Sequence, residues 1–137
     1  MLCSQDYRKV PMAALKRILM VDDEADIRTI AHLSLTAVGG FTVEQCSSGP
    51  EALQKAEAFV PDLILLDVMM PGMDGPSTLK GLREIPALAQ TPVVFMTAKV
   101  QPQEIAQLKA CGAVDVLAKP FDPMALPGSL LRIWADR

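Results

Sequence analysis

Leu63, Ile64, Leu65 and Leu66 run unbroken into Asp67, and the reading of this stretch decides how the chain folds. Four consecutive apolar residues with no polar alternation describe a strand covered on both faces, the condition of a parallel sheet sandwiched between helices. A carboxylate ending such a run is out of character for a strand, because strands deplete Asp. Asp67 is therefore a candidate for chemistry rather than for packing.

Three further apolar runs lie either side of it: Ile18–Val21, Val93–Met96 and Val114–Leu117, the last interrupted only at Asp115. A fifth segment, Phe41–Cys46, alternates and is expected at a sheet edge. Helical stretches separate the runs. Ile27, Ile30, Ala31, Ser34 and Val38 form one apolar stripe ending at Gly39 and Gly40, and Ala52, Leu53, Ala56 and Phe59 form the next, stopped by Pro61. Pro76 suits the first turn of a third helix, closed by Pro86, and Pro102 opens a fourth that carries Ile105 and Leu108 inward. The last helix presents Leu126, Leu130, Ile133 and Trp134. Pro127 would break it internally, so a first turn over Pro123–Leu126 and a restart at Pro127 are expected. A strand–helix unit repeated five times with right-handed crossovers predicts an α/β fold, a flavodoxin-like doubly wound sandwich with strand order 2-1-3-4-5.

In such sheets ligands bind beyond the carboxyl ends of the strands, at the topological switch point. Asp22 and Asp23 end the first strand, Asp67 the third and Thr97 the fourth, while Lys119 follows the fifth at once. Strands one and three are neighbours in that order, so Asp22, Asp23 and Asp67 converge. Three adjacent carboxylates need neutralising. A hard divalent ion does this, and Mg²⁺ fits because it accepts a few carboxylates and keeps room for a substrate phosphate. Lys119 supplies a cation for an incoming anion, and Thr97 a hydroxyl donor. Nucleophilic carboxylate, metal, cation and hydroxyl together describe a phosphoryl site.

The segments Ile18–Glu24, Leu63–Gly75, Pro92–Ala98 and Lys119–Phe121 closely resemble the receiver domain of two-component response regulators, the likeness running from about Lys16 to Trp134. The resemblance implies that Asp67 is the phosphoacceptor, taking its phosphoryl group from a phosphohistidine on a sensor histidine kinase or a histidine phosphotransfer protein. It implies that Asp22, Asp23, Asp67 and the backbone carbonyl of Met69 surround Mg²⁺, that Lys119 contacts the acyl phosphate, and that Thr97 shifts toward it. It also implies a downstream protein target at the surface of the last helices. Two departures stand out. Val116 occupies the position where receivers usually carry Tyr or Phe, and Met69 puts an apolar side chain beside the route of hydrolytic water. The expected organisation is a flexible extension over residues 1–15 and a receiver over 16–137 with no effector domain.

Other readings fit the residues less well. Phosphatases of the haloacid dehalogenase type need a second Asp two residues after the nucleophile, where this chain has Met69. A flavin module would need a Ser/Thr/Gly-rich phosphate loop where Asp22, Asp23 and Glu24 stand. A degenerate receiver, acting as a binding scaffold without regulated phosphorylation, remains the alternative that Val116 supports. His32, the single histidine, reads as a boundary residue on the first helix rather than a phosphohistidine. The 137-residue length suits one domain, half the residues are hydrophobic and only 4% are aromatic, so aliphatic side chains must fill the core. A net charge of −3 gives no drive toward nucleic acid or an anionic membrane. No apolar run approaches a membrane span. Cys3, Cys46 and Cys111 form no CxxC pair and are expected to be reduced, with Cys46 and Cys111 as small buried hydrophobes. Together these features predict a cytoplasmic protein.

Overall fold

The computed structural model describes residues 14–137. Five strands form one sheet: β1 (Arg17–Val21), β2 (Thr42–Cys46), β3 (Leu63–Asp67), β4 (Val93–Thr97) and β5 (Asp115–Ala118). All pair in parallel, in the order β2-β1-β3-β4-β5 expected from the crossovers. The helices are α1 (Ala25–Leu33), α2 (Gly49–Phe59), α3 (Gly75–Arg83), α4 (Pro102–Ala110) and α5 (Leu126–Asp136). Of the expected extension, residues 1–13 lie outside the described part, and Leu15 is buried in the core.

Strand side chains alternate between faces, and that alternation builds two cores. Leu19, Val21, Ile64, Leu66, Val93 and Phe95 point to one face, where Ala52 and Ala56 of α2 and Leu79 and Leu82 of α3 cover them. Ile18, Met20, Leu63, Leu65, Val94 and Met96 point to the other, under Ala31 of α1, Leu35, and Leu126 and Leu130 of α5. The three central strands are buried on both sides, as their unbroken apolar runs require. β5 lies at an edge and is only partly covered, and the alternating β2 occupies the opposite edge.

Local chemistry sets the helix ends. Ser48 Oγ accepts from Glu51 N (3.2 Å), and Glu51 reaches back to Ser47 N (2.6 Å) at the start of α2. Asp74 Oδ1 accepts from Ser77 N (2.9 Å) and caps α3. A turn over 123–125 precedes α5, whose first turn contains Pro127, where the missing N–H costs nothing. α1 differs from expectation. A π-helical segment, Ser34–Val38, follows it, and the widened turn rotates Val38 out to solvent (47% exposed). Ile30 lies on the flank, 43% exposed, and the inward face is Ala31, Ser34 and Leu35. Cys46 is buried as expected, but Cys111 caps the end of α4 and is exposed.

Gly75 couples this scaffold to the end of β3. Its N–H donates to the Val68 carbonyl (2.9 Å), and an added Cβ would lie 2.5 Å from the Asp67 carbonyl oxygen and 2.9 Å from Val68 Cα. Both neighbours are backbone and cannot swing aside. Gly75→Ala is expected to destabilise the domain by about 2–3 kcal/mol, roughly 10 °C in melting temperature. A calorimetric shift below 2 °C would show that the loop yields instead.

Candidate functional site

The carboxyl ends of β1 and β3 are adjacent because the two strands pair in register, Val21 opposite Leu66. The next residue on each strand is an aspartate. Asp22 is fully buried and Asp67 is 2% exposed, while Asp23 is exposed at the rim. Carboxylate oxygens from all three lie within 4.8 Å of one another, an all-oxygen donor set suited to a hard divalent cation.

Lys119, immediately after β5, reaches this cluster over the end of β4. Its backbone N–H donates to the Thr97 carbonyl (2.9 Å), anchoring the stem, and the Lys119–Pro120 peptide is cis. Its Nζ donates to Asp22 Oδ2 (3.2 Å), Asp67 Oδ1 (3.3 Å) and Glu24 Oε1 (3.3 Å). Asp22 is steadied further: its Oδ1 accepts from Glu24 N (2.8 Å), and the Arg28 guanidinium binds its backbone carbonyl (2.6 Å). Thr97, 3% exposed, ends β4, and its Oγ1 accepts from Lys99 N (3.0 Å). A hydroxyl that accepts one bond still has its own proton to donate.

Electrostatics follow from burial. Loss of solvent, then the facing Asp22 carboxylate, push Asp67 up to about 6, against the pull of Lys119. Burial also raises Asp22, opposed by its hydrogen bond from Glu24 N and by Lys119. Lys119 pays the same desolvation cost, but Asp22 and Asp67 outweigh it and hold the ammonium above its ordinary value. The resting site is thus short of positive charge.

The residues singled out from the sequence fall around one point. Asp22, Asp23, Asp67 and Lys119 meet directly, and Thr97 stands beside them at the end of β4. Met69 lies two residues beyond Asp67, its side chain 64% exposed, lining a groove of about 160 Å³ with Val68, Thr97, Lys99, Glu104, Gln107 and Leu108. Val116 is half-buried on β5 against the core face that holds Phe95. His32 sits in the last turn of α1, half-buried, and takes no part. Two contributors escaped the sequence reading. Glu24 figured only as one more acid after the aspartate pair, and Arg28 was not singled out; their places, just after the aspartate pair and one helical turn further on, were the available signal.

Comparison with known proteins agrees with this geometry. The response regulator receiver domain family matches residues 18–130. Among curated proteins, the regulatory protein AtoC of Escherichia coli is 38% identical over 111 residues, covering 81% of this chain and 23% of that protein. The alkaline phosphatase synthesis transcriptional regulatory protein PhoP of Bacillus subtilis is 42% identical over 108 residues, covering 79% of this chain and 44% of its own length. The chain therefore spans less than half the length of these relatives. Among solved structures, the chemotaxis protein CheY4 of Vibrio cholerae superposes with a TM-score of 0.81 at 36% identity, covering 88% of this chain and 99% of that one. A response regulator from Desulfuromonas acetoxidans gives 0.78 at 29% identity, covering 88% and 97%. Among the described residues, no helix is long and apolar enough to cross a membrane. The chain belongs to the receiver domain family of response regulators, the signalling switches of two-component systems.

Proposed function

We propose that Asp67 is the phosphoacceptor of this receiver, loaded from a phosphohistidine of a sensor histidine kinase or a histidine phosphotransfer protein. The observation that carries the reading is the bridge from Lys119 Nζ to two buried carboxylates, Asp22 and Asp67, on neighbouring strand ends. A cation and a carboxylate nucleophile held side by side out of water suit transfer of a phosphoryl group. Asp67 attacks the phosphorus, the P–N bond breaks, and its electron pair stays on the donor imidazole. Lys119 then binds a phosphoryl oxygen, and the Thr97 hydroxyl donates to another.

The donor set of Asp22, Asp23 and Asp67, joined by the Met69 carbonyl, fits Mg²⁺. Mg²⁺ supplies charge neutralisation for a dianion entering an already acidic site. The chain acts on its own phosphoryl group, through transfer and a slow autodephosphorylation, and the exposed Met69 side chain shields the acyl phosphate from hydrolytic water.

Output follows from the new contacts. Driving a two-state element from 1:99 to 99:1 takes roughly 5.5 kcal/mol. Two charge-assisted hydrogen bonds, from Lys119 and Thr97, supply about 1.5–3 kcal/mol each. The surface they bias is that of α4, β5 and α5, which meets a downstream protein. Val116 cannot swing a ring between two positions, so the readout there rests on Thr97 and its loop.

Incubation with acetyl phosphate and Mg²⁺ is expected to add one phosphoryl group by intact mass to wild type and none to Asp67→Asn or to chelated protein. A folded, Mg²⁺-binding wild type that stays unmodified by acetyl phosphate and by a panel of histidine kinases would favour the scaffold reading. Met69→Asn is expected to shorten the aspartyl-phosphate lifetime about threefold or more, roughly 0.7 kcal/mol on the barrier; an unchanged lifetime removes the shielding role.

The raised Asp67 makes a third, metal-free test. Its folded value, about 6, exceeds the ordinary 3.8, so the stability it contributes is present below about 3.8 and lost as pH rises through about 6. Asp67→Asn removes that loss. Without Mg²⁺, the melting temperature of Asp67→Asn minus that of wild type is expected to grow from near zero at pH 3.5 to roughly 10 °C at pH 7.5, about 3 kcal/mol. A difference independent of pH would contradict the charge burial.

A further inference from the structure

We propose that Glu24 is a positioning residue that withholds Lys119 from the incoming phosphoryl group and so sets the rate at which Asp67 is loaded; this rests on the phosphoacceptor reading above. An ammonium has three N–H donors. Those of Lys119 face three carboxylates, Asp22 at 3.2 Å and Glu24 and Asp67 at 3.3 Å each. No donor remains for a phosphoryl oxygen, so loading requires one of the three contacts to open.

The three are not equal. Asp22 has a fully buried side chain whose second oxygen is tied to Glu24 N, so releasing it would strand a carboxylate away from water. Asp67 is the nucleophile, and its contact with Lys119 holds the attacking carboxylate in place until the new P–O bond forms. The Glu24 side chain is 60% exposed, and its carboxylate rehydrates at once when Lys119 leaves. It is also spared the usual duty of its position: Glu24 precedes α1, yet its side chain caps no N–H of that helix. Glu24 is therefore the contact that opens, and its hold on Lys119 is a cost that every loading event must meet.

The effect is read with acetyl phosphate, whose transfer to Asp67 forms the aspartyl P–O bond, breaks the P–O bond to acetate and sends the electron pair off with acetate. Initial rates by intact mass at saturating Mg²⁺ would compare wild type, Glu24→Gln and Glu24→Asp. The glutamine keeps the length without the charge. The aspartate keeps the charge but, one methylene shorter, falls out of reach of Lys119.

Both variants are expected to load about two- to fivefold faster than wild type, the range of an exposed ion pair, with melting unchanged in Glu24→Gln and raised in Glu24→Asp only by the N-cap bond that Asp can make. The gain should shrink at high salt, where wild type is released from the same contact. A purely structural role would move melting and leave that salt dependence flat. Rates equal to wild type in both variants overturn the inference while leaving Asp67 as phosphoacceptor. A faster Glu24→Gln beside a wild-type-like Glu24→Asp also overturns it, because the cause is then general repulsion of the donor. Absence of Asp67 modification in all three proteins defeats both readings together.

Discussion

Everything at this site depends on one ammonium group placed between the ends of two strands. Asp22 and Asp67 are among the few charged or polar side chains that the sheet buries, and two facing carboxylates out of water are tolerable only with a cation between them. Lys119 supplies it from the far side of β4, a reach that needs a long, flexible stem and a compact charge, which a rigid guanidinium fork would not offer. The stem stays on course because the Lys119 N–H is pinned to the Thr97 carbonyl, so the residue that ends β4 also aims the cation. The cost falls on the carboxylates, whose charged forms are disfavoured by burial even so.

The parallel sheet explains why these groups meet. Each strand arrives from a helix on one face and leaves toward the next, so all five carboxyl ends open on the same side. Alternation along β1, β3 and β4 spends their interior residues on two apolar faces. Only the residue at or just past each strand end is free to be polar. The switch point between β1 and β3 gathers two such positions, and the loop after β3 is held by the close approach of Gly75 to the Asp67 carbonyl.

This logic made most of the fold and the site legible in the residues alone. Unbroken runs such as Leu63–Leu66 reported burial on both faces, and the alternation of Phe41–Cys46 reported an edge. What escaped was set by geometry that periodicity does not carry. A regular 3.6-residue count put Val38 inside; the π-helical turn over Ser34–Val38 rotated it outward and left Ser34 bonded to the Pro123 carbonyl. Cys111 read as a buried hydrophobe, but it caps a short helix with no fully buried residue and faces solvent. Glu24 read as one more acid, since nothing local announces a partner ninety-five positions away.

The same geometry orders events in the proposed cycle. Three carboxylates, Asp22, Glu24 and Asp67, hold the ammonium of Lys119, and a fourth, Asp23, joins the aspartate cluster. A dianionic phosphoryl donor entering that field meets net repulsion in a partly dry site, where charge is weakly screened. Asp22, Asp23 and Asp67 would hold a divalent cation, which would neutralise most of the excess, and Lys119 would answer the charge that the phosphoryl group brings. Cation before anion is the order that this charge count favours in the proposed cycle. The exposed Glu24 contact yields to that sequence more readily than either buried aspartate, so the site can rest stably with all donors of Lys119 occupied and still open at its cheapest contact when phosphate arrives.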